Sequence, residues 1–347
     1  MDRKIRVGVI GLGIMGEQYV RFYQDHPWTE VVAVAARRAE QAAVLAARYG
    51  VGRSYSDWME LVQSPEIDAV CIALPDHLHY AAATLAIRNG KHVLIEKPMT
   101  TDLAEADELV RLVEESGVKV QVAFNHRWLS SYHQGHTLIA HGTIGAPLFA
   151  YARKNDTIYV PTEMLSWAAK TTPAWFLSSH DIDLVCWFFG SEPVEARAWG
   201  VKRVLAARGI DTYDMISSQV RFANGSLATF ECGWIYPNSF PTIVDSFVEV
   251  IGEKGHLHFD RKRESMELST PEAFTYPKSF LSCEIFGIPR GAYPACLDDF
   301  ARAIHDDRAP AVGVRDGRRV TAVLSAIHTS LLSGESAPIQ PPASVRG

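Results

Sequence analysis

At 347 residues the chain is too long for one ordinary hydrophobic core and long enough for two domains. A composition that is 47% hydrophobic and 21% charged fits a globular enzyme or binding protein, and a net charge of -6 argues against a nucleic-acid partner, which leaves a basic surplus. No apolar run reaches the roughly 20 residues needed to span a bilayer, and MDRKIRVGVIGLG enters a strand without a cleavable signal pattern, so a cytoplasmic location is expected.

Strand and helix patterns alternate over residues 1–125. IRVGVI reads as a strand, and the helical spacing that follows, from Met15 to His26, stops at Pro27. VVAVA is a second strand, and AEQAAVLAARYG a helix closed by Gly50. DAVCIAL is a strand, Leu78 to Asn89 a helix closed by Gly90, and HVLIE a further strand. TDLAEADELVRLVEESG is a helix in which Asp102 and Glu105 have capping-box spacing, and KVQVAF ends the series. Short apolar strands alternating with helices predict a doubly wound parallel sheet, because each crossover must return over one face.

From residue 126 onward the pattern changes, and 126–347 is expected to form a second domain. LFAYARK, VEARAWGVK, DMISSQVRF, SLATFECGWIY and TIVDSFVEVIG are longer strands, with Asn224-Gly225 and Glu253-Lys254-Gly255 as turn signals. They predict one large, mostly antiparallel sheet with an open face. Two helices follow, Ala292 to Asp306 and Arg315 to Leu332, and the tail SAPIQPPASVRG is expected to be loosely held. The five cysteines are scattered and form no C-x-x-C pair, which points to neither a disulfide framework nor a thiolate metal site.

GLGIMG is a G-x-G-x-x-G directly after a predicted strand and opening a predicted helix. The candidate cradle for a dinucleotide pyrophosphate is therefore Gly11, Leu12, Gly13, Ile14, Met15 and Gly16. Gly11 allows the tight turn, Gly13 lets the backbone approach the phosphates, and Gly16 lets helix and strand pack closely. Dinucleotide folds that prefer NAD place Asp or Glu at the end of the second strand. Here that position is Ala36, followed by Arg37 and Arg38, which favours NADP, with NAD as the alternative.

GLGIMG, ALPDHLH, EKP, AFNHRW and SHDIDLVCWFFG, in this order, resemble the Gfo/Idh/MocA family of oxidoreductases, and the likeness runs nearly end to end. It extends to RFANGSLATFECGW and VGVRDGRRVTAVLSAIHTSLLSG, and VVAVAARR is similar to the NADP-using dihydrodiol and xylose dehydrogenase branch. The resemblance implies a Rossmann domain followed by an α/β domain with an open antiparallel sheet. It further implies a nicotinamide cofactor, a sugar or cyclitol substrate, and a homodimer or homotetramer joined through that sheet. Residue by residue, it puts Leu74, Pro75, His79, Glu96, Lys97 and Asn125 near the cofactor. His180 matches the active-site histidine and Asp183 a polar position that commonly meets substrate hydroxyls; Arg127 and Trp167 are the further candidates to face substrate. The chain departs from the family at Phe176, where many relatives carry an Asp four residues before that histidine.

The residues themselves are less decisive about this segment. On a helix His180, Asp183 and Trp187 share one face, a pattern equally suited to an ordinary helix start with a surface carboxylate. It is the resemblance that makes this a site. Trp167 and Trp175 flank the preceding loop as a sugar-stacking wall or as aromatic core. His77, His79, His126, His133, His136 and His141 lack carboxylate or cysteine partners at ligand spacing, and no metal is expected.

Lys97, at the end of a parallel strand, stands where doubly wound sheets bind ligands. An ammonium there stabilises the alkoxide-like transition state of hydride transfer, with Glu96 to hold it and Pro98 to fix the backbone beyond it. His180 suits a general base near neutral pH. Three readings follow. The first is a dehydrogenase or reductase acting on a sugar, cyclitol or related carbonyl compound. The second is a glycosidase that oxidises its sugar transiently through a tightly bound nicotinamide, and the third a cofactor-binding sensor, against which Lys97 and His180 argue.

Overall fold

The computed structural model describes residues 3–342. The chain divides into two compact units. Among the described residues, the first holds 3–125 together with 284–289 and 293–318, and the second holds 126–283, 290–292 and 319–342. Residues 293–318, assigned to the second domain from sequence, thus group with the first.

In the first unit β1 (Ile5–Ile10) is buried along nearly its whole length, as a central parallel strand covered on both faces must be. It leads into α1 (Ile14–Asp25), which stops where His26 turns extended before Pro27. β2 (Thr29–Ala35) and α2 (Ala39–Tyr49) follow, and Gly50 closes α2 at φ 66°, its N–H bonded to Ala46 O. β3 (Arg53–Tyr55) and α3 (Trp58–Gln63) come next, both too short to show a period in the sequence. β4 (Ala69–Ile72), α4 (His79–Arg88), β5 (His92–Ile95), α5 (Leu103–Ser116) and β6 (Val120–Val122) complete the series. The six strands are parallel in the order β3-β2-β1-β4-β5-β6. The order reverses between β1 and β4, so their carboxyl ends form the crevice where such sheets bind ligands. The capping box at α5 is half formed. Asp102 accepts from Glu105 N at 3.0 Å, but the Glu105 carboxylate is taken by the Thr100 hydroxyl.

The second unit opens with α6 (Ser130–Ala140) and β7 (Pro147–Thr157), followed by α7 (Ser179–Phe189), which the π-helical turn Ala174–Ser178 feeds directly. Then come β8 (Pro193–Val201), β9 (Met215–Phe222), β10 (Leu227–Tyr236), β11 (Val244–Gly252) and β12 (His256–Asp260). Beyond them lie two short hairpins, β13 (Leu268–Ser269) with β14 (Phe274–Thr275) and β15 (Cys283–Ile285) with β16 (Ile288–Arg290). The last elements along the chain are α8 (Ala292–His305), which from residue 293 onward groups with the first unit, α9 (Val314–Ser333), which passes to the second unit at residue 319, and β17 (Ala337–Pro338) of the second unit. The large sheet has the order β12-β11-β7-β10-β9-β8-β17. It is mixed rather than wholly antiparallel, since β7 and β10 run parallel. Alternation along β7 turns Ala150, Ala152 and Lys154 to the buried side, where α7 packs, and Tyr151 and Arg153 to the other.

The tail is held more firmly than its composition implies. Ala337 and Pro338 pair with Ala196 and Glu195 of β8, Ile339 N bonds Val194 O, and Ala337 and Ile339 are buried. The stretch from 343 to 347 lies outside the described residues. Among the described residues no helix is long and apolar enough to cross a membrane.

Candidate functional site

In the first unit the glycine turn separates two kinds of demand. Gly11 has φ 86°, and a Cβ on it would stand 2.3 Å from Ala73 O, while a Cβ on Gly16 would stand 1.8 Å from Gly11 O. These two glycines are required by the packing of the chain on itself. A Cβ on Gly13 would meet nothing within 4 Å. Gly13 is the N-cap of α1 and provides no side-chain cap, so the first-turn N–H groups face a space that an anion fits. Leu12 is buried in the core and contributes backbone here, while Ile14 is exposed and Met15 packs partly against that core.

At the end of β2, Ala36 donates its N–H to Tyr55 O, and Arg37 and Arg38 are exposed. Arg38 donates to Gln41 Oε1 from Nε and Nη2 at 3.3 and 3.2 Å, and Gln41 Nε2 donates to Leu12 O at 2.8 Å. The start of α2 is thereby tied to the glycine turn. Leu12, Gln41, Arg38 and Arg48 line a surface cavity of about 390 Å³.

The ends of β4 and β5 are joined through His79. Its Nε2 lies 2.8 Å from Leu74 O and its Nδ1 2.7 Å from Pro98 O, with the ring 1% exposed. Both nitrogens are thus turned to the backbone, and His79 fixes the loops of Leu74-Pro75 and Lys97-Pro98. The Lys97-Pro98 peptide is cis. Glu96 is buried at the end of β5, where its carboxylate accepts from the Tyr19 hydroxyl of α1 and from the Lys97 main-chain N at 3.2 Å. Burial and the adjacent Glu96 carboxylate push the Tyr19 hydroxyl well above the ordinary phenol range. The carboxylate therefore secures the main chain before Lys97 and the helix behind it. Asn125 is buried, and its Oδ1 has no hydrogen-bond partner among the described residues. With the open space at Gly13, this orphaned acceptor fits a nicotinamide dinucleotide.

In the second unit α7 carries two buried carboxylates, each against a cation. Arg127 donates from Nε to Asp183 Oδ2 at 2.8 Å and from Nη2 to Asp183 Oδ1 at 2.5 Å, and Lys154 Nζ lies 2.7 Å from Asp181 Oδ1. Two residues expected to face substrate, Arg127 and Asp183, are brought together as one bidentate pair. Asp183 is 1% exposed, which excludes the surface-carboxylate reading of this helix. His180 is buried, and its ring stacks on His126 with centroids 4.0 Å apart and planes 13° apart. Phe176 packs in an apolar cluster with Val160, Leu205 and Trp234, and Trp167, half-buried, meets it edge-on at 6.1 Å. Trp175 is not part of a wall beside Trp167. It is 7% exposed and stacks on His328 at 5.0 Å.

Among the described residues no group of three or more His, Cys, Asp or Glu is arranged to hold a metal ion. His133 and His136 turn to Trp187, the latter stacked at 3.9 Å, and burial together with His133 and Arg127 lowers the His136 pKa. Sequence reasoning missed Tyr19, Lys154, Asp181 and Arg261. Asp181 was within reach, since it adjoins His180 on a recognised helix; Arg261 gives no local signal at all.

Residues 5–124 match the family model described as "Oxidoreductase family, NAD-binding Rossmann fold", and residues 132–258 that of the "GFO/IDH/MocA C-terminal domain". The chain is 28% identical over 341 residues to 1,5-anhydro-D-fructose reductase of Ensifer adhaerens, covering 96% of this chain and 98% of that one. It is 31% identical over 227 residues to an uncharacterized oxidoreductase of Rhizobium meliloti, covering 65% and 67%. With myo-inositol 2-dehydrogenase of Thermotoga maritima it shares 25% over 335 residues, covering 94% and 96%. Among solved structures, scyllo-inositol dehydrogenase from Lactobacillus casei with bound NAD(H) and scyllo-inositol superposes with a TM-score of 0.83 at 21% identity, over 97% and 99% of the two chains.

Proposed function

Because the chain belongs to the GFO/IDH/MocA family of NAD-binding oxidoreductases, we propose that it moves a hydride between a nicotinamide cofactor and a sugar, cyclitol or related carbonyl compound. The observation that carries this reading is the open space at Gly13 on the N-terminus of α1, between two glycines that packing already requires. The substrate class is supported by relatives named for 1,5-anhydro-D-fructose and myo-inositol. NADP is the favoured form, because β2 is followed by Ala36 in place of a carboxylate and by the exposed Arg37 and Arg38.

When bound, the nicotinamide supplies the hydride acceptor or donor. Lys97 stabilises the substrate oxygen as it gains negative charge, and Glu96 and His79 hold the main chain on either side of it. His180 takes the proton during oxidation and returns it during reduction.

The test is a panel of sugars, cyclitols and their oxidised forms assayed with NADP and NAD, on wild type and Lys97→Met. Expected are net cofactor conversion and a loss of about 10²- to 10⁴-fold in kcat for Lys97→Met with cofactor affinity kept. Near-full turnover by Lys97→Met would overturn its role, and release of an aglycone without net cofactor change would move the chain to glycoside cleavage. Replacing Arg37 and Arg38 by Ala should weaken NADP by about 1 to 3 kcal/mol per lost charged hydrogen bond and leave NAD much less affected. Equal losses for both cofactors would remove the NADP assignment.

A further inference from the structure

Phe176, one turn before His180, offers no hydrogen bond, and its ring is committed to the cluster with Trp234. The face of the His180 imidazole is covered by His126, its ring centroid 4.0 Å away and its plane nearly parallel. The protonation state of His126 is in turn set by a neighbour distant in sequence. Arg261 Nη1 lies 3.1 Å from His126 Nε2. A guanidinium has only N–H donors, so Nε2 must accept, which leaves the single ring proton on Nδ1 and the ring neutral. Arg261 is itself firmly held: its side chain is 6% exposed, its N–H bonds Ser246 O at 2.9 Å, and its carbonyl accepts from the Lys278 ammonium. Glu264 lies 3.7 Å from Arg261 Nη2 and accepts from the N–H groups of Ser279 and Phe280 at 2.7 and 2.9 Å.

We infer that Arg261 and His126 are a positioning pair for His180, Arg261 locking His126 as a neutral ring that fixes the plane of the His180 imidazole and reserves the pair's one proton for His180. The inference rests on the reading of His180 as the proton-transfer group and deepens it. Two imidazolium rings stacked at this distance would repel strongly away from bulk water, so the stack holds one proton at a time. With His126 Nε2 occupied by Arg261, that proton goes to His180. A neutral ring also presents its face to the imidazolium that forms, a favourable cation–π contact.

The other charged groups on the elements around this stack are matched. Lys154 of β7 faces Asp181 of α7, Arg127 faces Asp183 of α7, and Glu264 faces Arg261. Tyr132 of α6, its ring 6.1 Å from that of His126, is kept un-ionised by burial, which pushes its hydroxyl up to about 12.

The experiment is imidazole nitrogen NMR on the full-length, histidine-labelled protein between pH 5 and 8, with signals assigned through His126→Gln and His180→Gln. In wild type, His126 Nε2 should keep the resonance of an unprotonated acceptor throughout while His180 titrates. In Arg261→Met, His126 should begin to take up protons, and the first protonation of the pair should move to higher pH by about one unit, since a neighbouring cation is gone. Should Arg261→Met fail to fold with Glu264 left uncompensated, Arg261→Met/Glu264→Gln keeps the charge balance and serves the same test. An ordinary titration of His126 in wild type, or an unmoved His180 titration in the folded variant, overturns the inference. Turnover separates it from the reading beneath, using myo-inositol with NADP or NAD and 1,5-anhydro-D-fructose with their reduced forms. His126→Ala should lower kcat about 10²-fold with cofactor affinity unchanged, and His126→Phe, which restores a stacked ring, should recover most of it. Full activity in His180→Ala would overturn the proton-transfer role itself. A crippled His180→Ala beside a fully active His126→Ala would overturn only the positioning role.

Discussion

Arg127 grips Asp183 through two hydrogen bonds, at 2.8 and 2.5 Å, with side chains only 10% and 1% exposed. A carboxylate buried to this degree is kept ionised by its partner, and removing the partner strands a charge. Arg127→Ala is therefore expected to destabilise the protein by about 3 to 5 kcal/mol, the cost of an uncompensated buried charge. Replacing both residues, as Arg127→Met with Asp183→Leu, should cost less than the two single changes added together. Urea denaturation of the four proteins measures the coupling, and strict additivity would show that the pair is not a unit.

The glycine turn gives a contrast between folding and binding. Gly13→Ala places a methyl in open space and should leave the melting temperature near wild type while weakening NAD(P), because the pyrophosphate must approach there. Gly16→Ala drives a methyl to within 1.8 Å of Gly11 O and should lower stability by about 1 to 3 kcal/mol or more. Thermal melts with and without cofactor separate the two. A Gly13→Ala protein that binds cofactor normally would remove the cradle.

His328 of α9 is buried against Trp175. Its Nδ1 donates to Leu324 O at 2.7 Å, and its Nε2 accepts from the Thr172 hydroxyl at 2.8 Å. Burial lowers its pKa below the ordinary 6.5, partly offset by the Leu324 carbonyl. The unfolded chain therefore takes up a proton that the folded chain refuses, so the contribution is intact above pH 6.5 and is lost as the pH falls toward the lower folded value. His92 and His136, also lowered, act in the same direction. Urea midpoints should fall from pH 7.5 to pH 5.5, less steeply in His328→Gln. An equal slope in the variant would exclude His328 as a source.

The outer face of the large sheet predicts association. Trp199, Leu227 and Ile251 are exposed on strands whose register sets them on one face, with Leu227 opposite Phe149 and Phe149 opposite Ile251. An apolar row of this kind is expected to be covered by a second copy of the chain. Light scattering at micromolar concentration should report a homo-oligomer, and Leu227→Arg should reduce its size. A wild-type monomer would refute the assignment.

The alternation of strands and helices in the first unit, the ends of its helices at Gly50, Gly90 and Gly117, and the glycine turn were all legible in the chain. Each depends on residues within a few positions of one another, where periodicity, φ preference and capping act. The short β3 and α3 escaped because three and six residues show no period. The parallel pairing of β7 with β10 escaped because strand direction is decided by the path of the chain between strands, not by their composition.

The polar interior of the second unit was decided only by packing. The sequence offered His180 and Asp183, but not that Asp183 would be taken up by Arg127, 56 residues away, nor that Arg261, 135 residues from His126, would determine which nitrogen of that ring accepts a hydrogen bond. The tail likewise reads as loose by composition, yet Ala337 and Pro338 find backbone partners on β8. A local pattern fixes which face of an element is apolar. The partner of a buried charge is fixed by which elements meet, because a charge away from water must be matched by whatever donor or acceptor the completed fold brings within hydrogen-bond reach.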